Sequence, residues 1–316
     1  MKDQFGRSIT YLRLSLTERC TLKCAYCRAE EGQCPKQKEL SGLDFIRIVR
    51  CLSTLGINKV RLTGGEPMLR KDLLEIVSGI RAIPQIGEIT MTTNAQHLAG
   101  QAAALKAAGL SRLNISVDSL QPKRYHDMTA GGDLGLVLAG IDDAIQAGLT
   151  PLKLNAVLMR GVNDDEVDDF IELTKDRPID MRFIELMPLG NEDHTGQRIE
   201  SGELIAARPS LVPLPPRYAG QPSADYAMPG HMGRVGFISP MSHRFCGDCN
   251  RVRVMSDGML RPCLGDNREV SLREALSQPD DSVLTKIMEE AIYQKPRTHG
   301  FDEAFHSQKN MSRIGG

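Results

Sequence analysis

The residues best placed to do chemistry in this 316-residue sequence are thiols: six of its eight cysteines fall in two triplets. Cys20, Cys24 and Cys27 form a Cys-x-x-x-Cys-x-x-Cys run. Three thiols on one short loop cannot all pair as disulfides, but they can close around one face of a metal cluster. Iron–sulfur cubes are usually held by four thiolates, one per iron, so three leave an iron open, and an open metal position is where chemistry occurs. A structural zinc completed by a distant ligand is the alternative, although zinc favours paired Cys-x-x-Cys knuckles. Cys246, Cys249 and Cys263 have gaps of two and thirteen residues, and His243 stands three before the first of them. Here zinc and an iron–sulfur cluster are both open. Cys51 shares a helical stripe with Ile48 and Leu55 and reads as a small buried hydrophobe, and Cys34 as a bystander.

Composition narrows the setting for these thiols. Thirty-nine basic residues nearly cancel 40 acidic ones, for a formal charge of -1. A general nucleic-acid or anionic-membrane binder would show a basic excess. Trp is absent and aromatics are 4%, so base-stacking platforms are a poor fit. No run of 18 apolar residues suits a membrane helix, and Met1 to Arg7 lacks a signal-peptide core. The expectation is a cytoplasmic protein, where clustered cysteines bind metal or catalyse before they crosslink.

The elements that must position the thiols follow from hydrophobic periodicity. Tyr11 to Leu16, Lys59 to Thr63, Glu88 to Thr93, Arg112 to Val117, Leu152 to Leu158 and Met181 to Met187 read as six strands. Helical spacing lies between them: Leu43, Ile46, Val49 and Leu52; Leu73, Ile76, Val77 and Ile80; Ala95 to Ala108 before Gly109; Leu134 to Ala147 before Gly148; and Asn163 to Lys175. Alternating strands and helices imply a parallel sheet, curled or open. Polar residues gather at the expected carboxyl ends of the strands: Thr63-Gly64-Gly65-Glu66, Thr92-Thr93-Asn94, Ser116-Val117-Asp118, Lys153 to Asn155, and Glu185 to Met187. In a βα barrel that end builds the active site. Six of 17 prolines crowd between Pro209 and Pro229, which reads as a linker or irregular wrap. Gly233 to Ser239 is a further strand, and Asp257-Gly258 between Asn250 to Met255 and Met259 to Cys263 signals a hairpin. That hairpin would set Cys263 opposite Val252, near Cys249. Ser271 to Leu276 and Ser282 to Tyr293 read as helices.

The first triplet, with Tyr26 before its last cysteine, resembles the radical S-adenosylmethionine (SAM) superfamily, and Thr63-Gly64-Gly65-Glu66-Pro67 is similar to that superfamily's SAM-binding turn. Phe245-Cys246-Gly247-Asp248-Cys249-Asn250-Arg251-Val252-Arg253 and the final Gly315-Gly316 narrow the resemblance to the GTP 3′,8-cyclase family, which opens molybdenum cofactor biosynthesis. Gly6-Arg7, Tyr11-Leu12-Arg13, Arg182-Phe183-Ile184-Glu185 and Gly236-Phe237-Ile238 extend it along the whole length. One departure is visible: Ala95 stands where the family usually has Gly.

The resemblance implies an α/β fold: an incomplete (βα)6 TIM-like barrel, 1–210, with a C-terminal α+β part, 211–316, bearing the second cluster and the Gly-Gly tail. It implies two 4Fe–4S clusters, on Cys20, Cys24 and Cys27 and on Cys246, Cys249 and Cys263. SAM would contact Tyr26 through its backbone, Gly65, Ser116 and Met187, with Gly64 and Gly65 giving room for close approach. GTP would meet Arg13, Lys59, Arg61, Thr92, Lys153, Arg182, Arg251 and Arg253, whose charges suit phosphate, while the second cluster's open iron binds guanine. Arg251, Arg253, Gly315 and Gly316 would line the reacting centre. The implied reaction removes hydrogen from the ribose 3′ carbon, joins that carbon to C8 of guanine and gives (8S)-3′,8-cyclo-7,8-dihydroguanosine 5′-triphosphate. An external electron donor would feed it and cyclic pyranopterin monophosphate synthase would take the product, with a homodimer left open. Arg13, Arg61 and Lys153 carry independent weight, because basic residues within parallel strands cannot all face water. There is no Gly-x-x-x-x-Gly-Lys-Ser/Thr loop, so side chains would hold the triphosphate. Arg182 and Met187 are five apart, so one must lie beyond its strand or at a bulge. Two alternatives remain: a radical SAM enzyme with an auxiliary cluster that modifies a peptide, and a zinc-stabilised regulatory protein.

Overall fold

The computed structural model describes residues 1–27, 38–189, 195–301, 305, 307 and 309–315. Cys34 and Gly316 lie outside the described residues. The elements run β1 (Tyr11–Ser15), α1 (Gly42–Thr54), β2 (Lys59–Thr63), α2 (Leu73–Arg81), β3 (Glu88–Thr93), α3 (Ala102–Ala108), β4 (Arg112–Ser116), α4 (Pro122–Thr129), α5 (Leu134–Gln146), β5 (Leu152–Leu158), α6 (Val167–Glu172) and β6 (Ile179–Glu185). They continue as α7 (Ser201–Ala206), β7 (Val212–Pro213), β8 (Ser223–Ala227), β9 (Arg234–Ile238), β10 (Arg251–Val254), β11 (Met259–Arg261), β12 (Val270–Ser271), α8 (Arg273–Leu276), α9 (Asp281–Tyr293) and α10 (Met311–Ile314).

All six expected strands are present and parallel, in one sheet ordered β12-β11-β10-β1-β2-β3-β4-β5-β6-β9-β8-β7. The later chain extends that partial barrel on both sides: β10 pairs parallel with β1, and β9 parallel with β6. Register divides the residues of these strands between two faces. Leu12, Leu14, Val60, Leu62, Ile89, Met91, Leu113, Ile115, Leu154, Met181, Phe183, Val235, Phe237, Val252 and Val254 are all buried and form the core under the helices. Alternate positions, in register across neighbouring strands, face the other way. Arg253, Arg13, Arg61 and Thr90 form one row, and Thr92, Asn114, Lys153 and Asp180 a second. Ser116, Asn155, Arg182 and Gly236 form a third. A parallel sheet with both faces in a packed core would carry continuous apolar runs. Here the inner face is polar, so the barrel encloses a site.

Several local expectations are corrected. The stripe on α1 is Phe45, Ile48, Val49 and Leu52, capped by a Ser41–Asp44 box, and Leu43 is 79% exposed. Cys51 is buried as expected. The helix expected from Ala95 begins only at Ala102, because Ala95 (φ 60°) and Gly100 (φ 78°) are left-handed. The segment expected over Asn163 to Lys175 is helical only from Asp164 to Glu172, its first turn a 3₁₀ turn. Sequence reading missed α4, whose Pro122 start is a legible signal but whose buried face is only Tyr125, Met128 and Thr129. Lys153 to Asn155 lie near the start of β5, not at its carboxyl end. The proline-rich 209–229 segment contains β7 and β8, the latter antiparallel to β9. In the hairpin, Arg253 faces Arg261 and Val254 faces Leu260, which sets Cys263 beyond the strand end and level with Arg251, one residue from the expected register. Gly258 (φ 83°) closes a three-residue loop, where a left-handed position is required.

Left-handed Ala95 explains why glycine suits this position. A non-glycine residue there costs about 1–2 kcal/mol. Its buried methyl returns about 0.8 kcal/mol, and alanine spares about 0.5–1 kcal/mol of chain entropy. These terms nearly cancel, so Ala95→Gly is expected to move Tm by less than about 3 °C in thermal unfolding.

Candidate active site

The loop after β1 carries the first triplet. Cys20, Cys24 and Cys27 are all partly exposed and bear electrostatically on one another, and burial pushes the Cys24 thiol up, with Asp118, Cys27 and Cys20 adding to it. Cys20 Sγ accepts from the Leu22 backbone N–H (3.4 Å) and from Asn94 Nδ2 (3.7 Å), donors suited to a metal-bound thiolate. Tyr26 sends its hydroxyl to Asp118 Oδ2 (2.8 Å), so the loop is tied to the end of β4. Gly64 (φ 139°) and Gly65 form the turn after β2. A Cβ on either would collide with the backbone of Thr17 or Arg19, with which this turn also hydrogen-bonds. The glycines are therefore required by approach to the thiol loop itself. Ser116 closes β4, and Met187 lies two residues past the end of β6, which resolves its parity with Arg182.

Cations converge below this rim. Arg61 donates to the Tyr11 hydroxyl and to Thr92 Oγ1 (3.3 Å). Arg13 Nε (3.2 Å) and Arg253 Nη1 (2.6 Å) both donate to the Gly315 carbonyl. Burial holds Arg13 well below its usual value and Arg253 down at about 10, with neighbouring guanidinium groups adding to the effect. Lys153, only 2% exposed, is lowered to about 6, first by burial and then by Arg182 and Arg112. Tyr11 would be raised by burial, but Arg61, Arg13 and Lys59 outweigh that and bring it to about 8. Lys59 sits at the barrel floor, paired with Glu88 (2.6 Å) and over the rings of Tyr11 and Tyr218. Ser15 Oγ, Asn114 Oδ1 and Asn155 Oδ1, all on the inner face, are buried without hydrogen-bond partners. An interior rich in positive charge with unpaired polar atoms fits a polyanionic, hydrogen-bonding ligand.

The second triplet lies at the edge of this interior. Arg251 stacks over Phe245 and donates to the Gly220 carbonyl (3.4 Å), so the proline-rich segment packs against the thiol loop. The same segment places Arg217 on Asp180 (2.7 Å). Cys249 is partly exposed; desolvation alone would raise its thiol, yet Lys295, Arg251 and Arg7 outweigh that and lower it, favouring thiolate. His243 is exposed, and among the described residues no three His, Cys, Asp or Glu side chains converge as ligands of a single metal ion do. Three thiols in each set suit a cube that keeps one iron open. Glu185 anchors the preceding loop: it is 3% exposed and accepts from the backbone of Ser201 (3.1 Å), Met241 (3.2 Å) and Ser242 (3.0 Å) and from the Ser242 hydroxyl. Glu185→Leu strands these donors and is expected to cost about 3 kcal/mol in urea unfolding.

Sequence reasoning missed Tyr11, Ser15 and Asn114 as site residues. Their signal is the alternation of polar with apolar residues along β1 and β4. Gly315 is at the site, inserted against Thr63 and Ser15.

Residues 14–174 match the family model described as Radical SAM superfamily, and residues 179–301 match that described as Molybdenum Cofactor Synthesis C. The fold is shared with SuiB of Streptococcus suis bound to S-adenosylmethionine (TM-score 0.61, 15% identity, 97% of this chain and 69% of that one). It is shared too with native anSMEcpe with bound AdoMet (TM-score 0.59, 14% identity, 92% and 82%). Fold, thiol loop and the first match together define a radical SAM protein, a class that works with SAM and a 4Fe–4S cluster. The sequence is 47% identical over 322 residues to a GTP 3′,8-cyclase of Alkaliphilus oremlandii (strain OhILAs) and 42% identical over 324 residues to one of Petrotoga mobilis, each covering 100% of both chains. The chain belongs to the GTP 3′,8-cyclase family. Among the described residues no helix is long and apolar enough to cross a membrane.

Proposed function

We propose that this chain converts GTP into (8S)-3′,8-cyclo-7,8-dihydroguanosine 5′-triphosphate, with Cys20, Cys24 and Cys27 holding the SAM-binding cluster and Cys246, Cys249 and Cys263 a second one beside the guanine. The observation that carries this reading is the cationic, partly unsatisfied inner face between two thiol triplets. The cluster that Cys20, Cys24 and Cys27 would hold, with SAM bound beside Gly65 and Ser116, would supply the radical chemistry that removes hydrogen from the ribose 3′ carbon. The protein's own residues orient and neutralise. Lys153 and Arg182 from adjacent strands meet the triphosphate, and Arg61, steadied by Tyr11 and Thr92, adds a directed guanidinium. Arg13 and Arg253, held by the Gly315 carbonyl, fix the ribose and base near the reacting carbon, where geometry of this kind is worth orders of magnitude in rate. Ser116 and Met187 at the rim face SAM. Two electrons and one proton from outside balance the reaction, one electron for cleavage of SAM and the other, with the proton, to complete the product, which is an isomer of GTP.

The test is anaerobic incubation of iron-loaded protein with SAM, a reductant and GTP. Chromatography should resolve an isomer with the mass of GTP, together with 5′-deoxyadenosine. Absence of 5′-deoxyadenosine would remove the radical reading, and its formation without GTP consumption would favour peptide modification.

A further inference from the structure

Asn94, immediately after β3, is held from three sides. Its backbone N–H donates to Glu66 Oε2 (2.7 Å), its Oδ1 accepts from the Gln96 N–H (3.1 Å), and its Nδ2 donates to Thr21 Oγ1 (3.1 Å) as well as to Cys20 Sγ (3.7 Å). Glu66, fully buried, has no role in the ligand contacts described above. Its other oxygen accepts from the Thr93 hydroxyl (2.7 Å) and the Met68 N–H (3.0 Å), and its own N–H donates to the Arg19 carbonyl (2.7 Å). The Glu66 carboxylate thus joins the turn after β2 to the turn after β3, its backbone N–H ties both to the thiol loop, and the side chain this arrangement fixes points an amide N–H at a thiol sulfur.

We infer that Asn94 tunes the cluster held by the first triplet: its carboxamide hydrogen bond to Cys20 Sγ raises the cluster's reduction potential, with Glu66 as the positioning residue that aims it. The inference rests on the assignment of Cys20 as a cluster ligand made above. Reduction adds negative charge to a cluster and its thiolates, so an N–H donor at sulfur stabilises the reduced state more than the oxidised one. Glu66 acts at one remove, and its removal frees the Asn94 backbone to rotate the amide away.

The experiment is EPR-monitored redox titration of the anaerobic, iron-loaded protein, following the signal that changes when SAM is added. Asn94→Ala is expected to shift the reduction equilibrium of that cluster about tenfold toward the oxidised form, about 59 mV for one electron, with the second cluster unmoved. Asn94→Asp, which replaces the donor by an anion in the same shape, is expected to shift it further the same way. Glu66→Gln is expected to fall between native and Asn94→Ala. Native midpoints in both Asn94 variants, at full iron content, would overturn the inference, as would an equal shift of both clusters. Should Asn94→Ala load poorly, the isosteric Asn94→Asp decides alone. A native protein that binds iron but shows no SAM-responsive signal would instead overturn the assignment of the first triplet.

Discussion

Replacing Gly315 with alanine is expected to lower GTP cyclisation by about 100-fold while leaving iron content per chain unchanged. Gly315 is left-handed (φ 76°), and a Cβ there would lie 2.8 Å from Thr63 Cγ2 and 3.2 Å from Ser15 Cβ. The backbone conformation alone costs an alanine about 1–2 kcal/mol, and the contact with Thr63 adds to it. The tail has an inexpensive escape, since only the short α10 must withdraw, so the fold survives and the carbonyl is what moves. Arg13 and Arg253 then lose their shared acceptor. A displacement of about 1 Å in a positioning group can cost about two orders of magnitude. Product formation by chromatography and iron by colorimetry decide the matter. Activity within threefold of native would show that the carbonyl does not organise the two guanidinium groups.

The second large effect is a pH dependence with opposite signs for stability and for binding. Lys153 has a folded value of about 6 against an ordinary 10.5, through burial and then Arg182 and Arg112. Between those values the unfolded chain holds more protons than the folded one, so this group makes the free protein more stable as pH rises from about 6 to 10. A bound triphosphate restores the ammonium charge, so binding takes up a proton, and affinity falls by up to about tenfold per pH unit above 6 until the bound-state value is reached. Calorimetric titration of GTP from pH 7.5 upward, beyond the last triphosphate ionisation, should show that slope in the native protein and nearly none in Lys153→Arg. An equal slope in both would sink the assignment. Tyr11, at about 8, contributes a further loss above that pH as its phenolate replaces the substrate's charge, and Tyr11→Phe removes that part alone. Lys153→Met is expected to raise Tm of the free protein by several degrees while weakening GTP, a trade of stability for function.

The strands were legible as short runs rich in β-branched and apolar residues, several with clear alternation, as in Lys59-Val60-Arg61-Leu62-Thr63. Arg13, Arg61 and Lys153 stood out before any register was known, because basic residues within parallel strands cannot all face water. What stayed hidden depends on long-range contact. The exchange of Tyr218 with Lys59 and of Arg217 with Asp180 is invisible in a proline-rich stretch that reads as linker. Ala95 disguised the start of α3, since alanine is a strong helix former and its left-handed conformation is imposed by packing. The one-residue error at the hairpin arose from treating Asp257-Gly258 as a two-residue turn when Ser256 belongs to the loop. Glu66 and Asn94 sat in motifs already noticed, but the bond from Asn94 to Cys20 spans 74 residues, and only the fold closes it.

The parallel pairing of β10 with β1 also has a consequence for synthesis. Tyr11 and Arg251 are register partners 240 positions apart, so while the nascent chain grows, β1 leaves the ribosome with one edge unsatisfied. At about 5–20 residues per second that edge waits on the order of 12–50 s for its neighbour. An unpaired strand edge is a template for misassociation. A message truncated before codon 251 should therefore yield aggregated chain with an intact first half, and soluble expression should depend on completing a strand that belongs, in sequence, to the other end.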